Sequence, residues 1–127
     1  MAAGKPPYDI TERSAAFADR CIRVALALPN NGVAWELQKQ LARASASVGA
    51  NLSERKGVLS KAELDYKLSV ALREAHETLY WLRRIANSTL LPLKQLEPLT
   101  VEADEIVRIL TSMLKAARAQ KSKDTPQ

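Results

Sequence analysis

The sequence predicts an all-α protein, an antiparallel up-down-up-down four-helix bundle. Three observations predict it. Apolar residues recur three and four positions apart in four long segments, which is the helical period. Glycine occurs only 4 times in 127 residues and good helix formers dominate, so little interrupts those segments. The links between them are short, and short links favour antiparallel neighbours. No strand-like alternation competes, and no internal repeat is visible.

Residues 1–8 carry Pro6 and Pro7 and are expected to form a flexible N-terminal segment. The bundle itself is expected over 9–120, and a polar, frayed tail over 121–127. Asp9 or Thr11 can cap a first helix that runs to about residue 28. Its stripe is Phe17, Cys21, Val24 and Leu28. Pro29-Asn30-Asn31-Gly32 are turn formers and end it. A second helix follows over about 33–56, with Gly57 suited to its stop. Ser60-Lys61-Ala62-Glu63 is a capping box, in which serine oxygen and glutamate reach reciprocal backbone amides. It opens a third helix to about residue 86, with the stripe Leu64, Leu68, Ala71, Ala75, Leu79, Leu82 and Ala86. Asn87-Ser88-Thr89 breaks that helix. In the fourth, Pro92 or Pro98 could occupy the first helical position. A short turn over 92–96 is expected before a main helix over about 97–119, whose stripe includes Ala103, Ile106, Leu110, Met113 and Ala117.

The second helix is the most informative stretch. Leu37, Leu41, Val48 and Leu52 form a large apolar stripe suited to the core. Ala42, Ala46, Gly49 and Ser53 form a second, flat stripe. Two packing faces on one helix imply a bundle that also assembles with copies of itself, so the flat stripe is a candidate oligomer interface. A third stripe is polar: Arg43, Ser47 and Asn51, continued by Glu54. Folding the second and third helices back about residues 58–59 brings Arg43 level with Glu74 and Gln40 level with Glu77. These seven residues are expected to form a structural polar cluster in which Arg43 pairs with Glu74 or Glu77 inside the bundle or at a subunit seam. The rival reading is an anion site built on Arg43.

Composition narrows the function classes. The net charge is +5 and the isoelectric point near 9.6, which permits attraction to polyanions without demonstrating it. The single cysteine, Cys21, excludes an internal disulfide and a multi-cysteine metal site, and its place on an apolar stripe reads as a small buried hydrophobe. His76 lies between Glu74 and Glu77, but residue 73 is Arg, so the Glu-x-x-His spacing of di-iron bundles fails. No metal or cofactor is expected. The serines lack a base constellation and no glycine-rich phosphate loop occurs, so no catalytic residue is assigned. No apolar run spans a bilayer and the N-terminus lacks the apolar core of a signal peptide, so a cytoplasmic protein without a membrane partner is expected. Trp35, Tyr66, Tyr80 and Trp81 are expected to pack a core or an interface rather than stack on bases. The best nucleic-acid feature is the run Arg108, Lys115, Arg118, Lys121 and Lys123, which meets no acid until Asp124.

The block Gln40-Leu41-x-Arg43-x3-Ser47-Val48-x-Ala50-Asn51-x2-Glu54 resembles the signature of bacterial four-helix-bundle proteins encoded within intervening sequences of 23S ribosomal RNA genes. Two further blocks fit the same family: Ala71-x2-Glu74-Ala75-x-Glu77-Thr78-x-Tyr80-Trp81-Leu82, and Glu102-Ala103-x-Glu105-Ile106 with Ile109 and Leu110. The resemblance covers roughly residues 9–118. A glycine commonly follows a glutamate-alanine pair in the family, whereas this chain reads Glu54-Arg55-Lys56-Gly57, which bears on where the second helix ends. The resemblance implies an up-down bundle, often assembled as a ring of five, with no established catalytic residues. A related bundle, the accessory protein of diversity-generating retroelements, is a basic ring that binds nucleic acid and a reverse transcriptase.

The leading expectation is therefore a non-enzymatic, self-assembling bundle acting as a binding or scaffold module. The alternative is a basic accessory protein that holds RNA or DNA through phosphate contacts. A third is an enzyme of unfamiliar type with a site between subunits.

Overall fold

Asp9 opens the first helix, and its carboxylate accepts the Thr11 amide at 2.8 Å. The computed structural model describes residues 9–124, with side chains through residue 120. The expectation for residues 1–8 lies outside the described residues. Helix α1 is Ile10–Ala27 and α2 is Gly32–Glu54, the latter capped by Asn31, which accepts the Ala34 amide at 3.0 Å. A 3₁₀ turn, Arg55–Gly57, ends α2 where the resemblance left the stop open. Helix α3 is Lys61–Ser88, and Ser60 Oγ accepts the Glu63 amide at 3.1 Å, half of the expected capping box. It outlasts the expected end at residue 86 and stops at Thr89, which takes the left-handed conformation with φ 59°.

Helix α4, Leu93–Asp124, corrects the sequence reading at both ends. Residues 93–96 of the turn expected over 92–96 are already helix, Pro92 lies just before it, and Pro98 sits inside it. Pro98 has no N–H, so the Lys94 carbonyl loses its intrahelical donor. The helix persists because Leu96 and Leu99 on either side are buried, and that packing outweighs the local cost. The backbone also stays helical beyond residue 120, into the segment expected to fray.

The four helices are all-α and up-down, with α1 against α2, α2 against α3 and α3 against α4. Helices α1 and α4 close the bundle through a much lighter seam. The core is built by Phe17, Cys21, Leu41, Val48, Leu52, Leu68, Leu82, Ile85, Ile106 and Leu110, all close to fully buried. The expected stripes supply most of it. Ser14, Ser45 and Thr78 are buried as well, each with its hydroxyl donating to a carbonyl of the preceding turn.

Candidate functional site

The polar stripe of α2 resolves into three separate contacts. Arg43 reaches α3, donating to Glu74 at 3.2 Å and to Glu77. Glu77 also accepts the Trp81 indole N–H at 3.2 Å. Gln40 bonds Glu36 at 2.8 Å and accepts from Arg43 at 3.4 Å; it meets Glu77 only through that arginine. Further along, Asn51 bonds back to the Ser47 carbonyl at 2.9 Å within its own helix. Glu54 instead accepts Lys67 of α3 at 2.7 Å. Glu74 is 16% exposed, but Arg43 is 48% exposed, so the network is a half-open surface clamp rather than a buried pair.

A stronger clamp went unnoticed in the sequence. Arg13 of α1 bonds Glu102 of α4 through two N–H groups, each at 2.7 Å, and Glu105 at 2.6 Å. Arg13 and Glu102 are each only 18% exposed. The hydrogen bond to Glu102 holds the guanidinium above its ordinary pKa range, although burial pushes the other way. The two residues are 89 positions apart, and only a register count across the closing seam could have found them.

The basic run of α4 is partly neutralised. Arg118 donates to Asp65 of α3 at 2.7 Å and to Ser69 at 3.3 Å. Arg108 pairs with Asp104 one turn back at 3.0 Å. Lys115 is exposed, and the side chains of Lys121 and Lys123 lie outside the described ones. Reading along α4 for intervening acids missed both partners, because one precedes the run and the other lies on α3.

The flat stripe of α2 divides. Gly49 faces α1 of the same chain: a Cβ there would lie 3.5 Å from Ser14 Oγ and 3.8 Å from the Ala15 amide nitrogen. Ala46 and Ser53 are exposed. Ala42 lines a shallow groove between α1 and α2 with Ile22, Leu26, Trp35 and Lys39. Leu26 is 78% exposed and Trp35 60% exposed. Trp35, Tyr66 and Tyr80 thus stay out of the core; only Trp81 is half-buried, edge-on to Tyr80 at 5.0 Å. Lys39 covers the Trp35 ring at 5.2 Å and Arg84 the Tyr80 ring at 4.9 Å. Leu93 and Val101 of α4 are also exposed.

This bundle and its Arg43-centred block can be set beside known proteins. The family model of 23S rRNA-intervening sequence proteins matches residues 7–112. The chain belongs to that family. A crystal structure of a protein with unknown function from the S23 ribosomal protein family, from Bacteroides thetaiotaomicron, shares 32% identity and superposes with a TM-score of 0.78. The match covers 84% of this chain and 98% of that one. No curated protein matches.

Family membership assigns no reaction, and the geometry adds none. His76 is exposed, and among the described residues no three His, Cys, Asp or Glu side chains converge as a metal site. Cys21 is fully buried, and burial pushes its thiol up to about 12, which disfavours the reactive thiolate. Among the described residues no helix is long and apolar enough to cross a membrane.

Proposed function

We propose that this chain is a self-assembling helical bundle, a ring built from copies of itself, that works as a binding or scaffold module without catalysis. The observation that carries this reading is the exposure of large apolar side chains at two separate places on one bundle. The α1–α2 groove presents Ile22, Leu26 and Trp35, and α4 presents Leu93 and Val101 two turns apart, with exposed Glu97 one turn from each. Two different patches of exposed apolar side chains are what a head-to-tail contact needs, and repeated head-to-tail contacts whose rotation closes form rings. Exposed apolar surface of this kind on a single chain marks an interaction site. Ala42 lies within the groove and lets another backbone approach. The test is Leu26→Glu. The wild-type chain sediments as an oligomer, and the variant is monomeric with unchanged helical circular dichroism. A variant that assembles like the wild type would remove the groove from the interface.

A phosphate-contacting surface for RNA or DNA is the second reading. It draws support from the net charge of +5, with Lys115, Lys121 and Lys123 on the last turns of α4. Copies of that basic end brought together in a ring would add their fields.

A further inference from the structure

The light seam between α1 and α4 changes character along its length. At one end Arg13 is held by Glu102 and Glu105. Two turns further along α1 the same stripe carries Arg20 and then Arg23, and there α4 offers Gln95 and Pro98 instead of carboxylates. The seam opens at this point into a cleft of about 310 Å³. Its floor is apolar, formed by Val24 and Leu99, both buried. Its rim is the two exposed guanidinium groups, the Gln95 side chain and the Pro98 ring. Asp19 and Glu97 are exposed on the same two helices, yet neither forms an ion pair with Arg20 or Arg23 among the described residues. Both arginines therefore keep uncompensated charge, in contrast to Arg13, Arg108 and Arg118.

We propose that this cleft binds a nucleoside phosphate, with the phosphate on Arg20 and Arg23 and the base on the Val24–Leu99 floor. Planar guanidinium groups hold phosphate oxygens through paired N–H donors, which lysine cannot do. The cleft is shallow and open, and its volume suits a mononucleotide lying along it rather than a larger cofactor. An apolar floor beside arginine suits the face of any base, so recognition is tolerant of base identity. The nucleotide can come free or as one unit of a single strand. The site uses the α1–α4 seam and not the α1–α2 groove, although Gln95 and Pro98 lie on α4 between Leu93 and Val101, the other surface of the proposed assembly.

The experiment is a calorimetric titration of the full chain at low and physiological salt. The probes are adenosine monophosphate, adenosine, inorganic phosphate and a single-stranded tetranucleotide. Adenosine monophosphate binds, and adenosine and phosphate each bind at least about tenfold more weakly, because each engages half of the cleft. The Arg20→Gln/Arg23→Gln double variant weakens nucleotide binding at least about tenfold with unchanged helicity. Ala27→Trp, which fills the cleft and keeps both arginines, weakens it as well. A tetranucleotide that binds more tightly than the monophosphate assigns the natural ligand to a strand; equal affinity assigns it to a free nucleotide. No binding of monophosphate or tetranucleotide at low salt overturns the proposal. So does binding that both variants leave unchanged, or phosphate binding as tight as that of the nucleotide.

Discussion

Arg13 and Arg43 look alike in the sequence, each a lone arginine on a helix face with glutamates on another helix, yet burial gives them different weight. Arg13 and Glu102 are mostly shielded and doubly bonded, whereas Arg43 is half in solvent. Removing Arg13 leaves Glu102 partly buried without its cation. Arg13→Ala should therefore cost roughly 2–3 kcal/mol. Arg43→Ala should cost no more than about 1 kcal/mol, as exposed pairs do. Urea unfolding of the two variants side by side checks the order; an equal loss would mean that burial does not rank them. Gly49 carries the next prediction. A Cβ there makes ordinary contact with Ser14 and Ala15 of α1, so Gly49→Ala fits and removes a glycine from a helix interior. It should stabilise the fold by about 0.5–1 kcal/mol. Gly49→Leu has no such room and should wedge α1 from α2, lowering helicity and melting temperature together. An alanine variant less stable than the wild type would show that the α1–α2 packing is tighter than these distances. The flat stripe read from the sequence as one surface thus has two uses, because a helix face of small residues does not say which helix approaches it.

At the scale of elements, periodicity located the four helices, their core stripes and the level at which Arg43 meets Glu74 and Glu77. These features follow from local spacing and one short link. What stayed hidden depends on contacts across the chain. Arg118 reaching Asp65 and Arg13 reaching Glu102 join helices whose relative register no short link sets. The start of α4 was misread for a related reason: proline signals a boundary locally, and only the burial of Leu96 and Leu99 carries the helix through it. Substituting Pro98 by alanine restores an N–H for the Lys94 carbonyl. It should stabilise α4 by about 1–3 kcal/mol in urea unfolding. A loss of stability would mean that the proline ring itself is needed at the mouth of the α1–α4 seam.

For the whole molecule, the family assignment leaves the role open, and the surface carries the argument. The interior is one continuous apolar cluster and its buried hydroxyls are bonded. Yet Leu26, Trp35, Leu93 and Val101 stand in solvent at two places on the bundle. On the proposed reading, further copies cover these side chains. Assembly would also gather the basic ends of α4 and multiply any seam site around the ring. The most direct measurement is the solution mass of the wild-type protein at micromolar concentration, by light scattering coupled to size exclusion. A closed oligomer is expected, with a mass near that of five chains of 14.0 kDa. A stable monomer of 14.0 kDa at that concentration would contradict it.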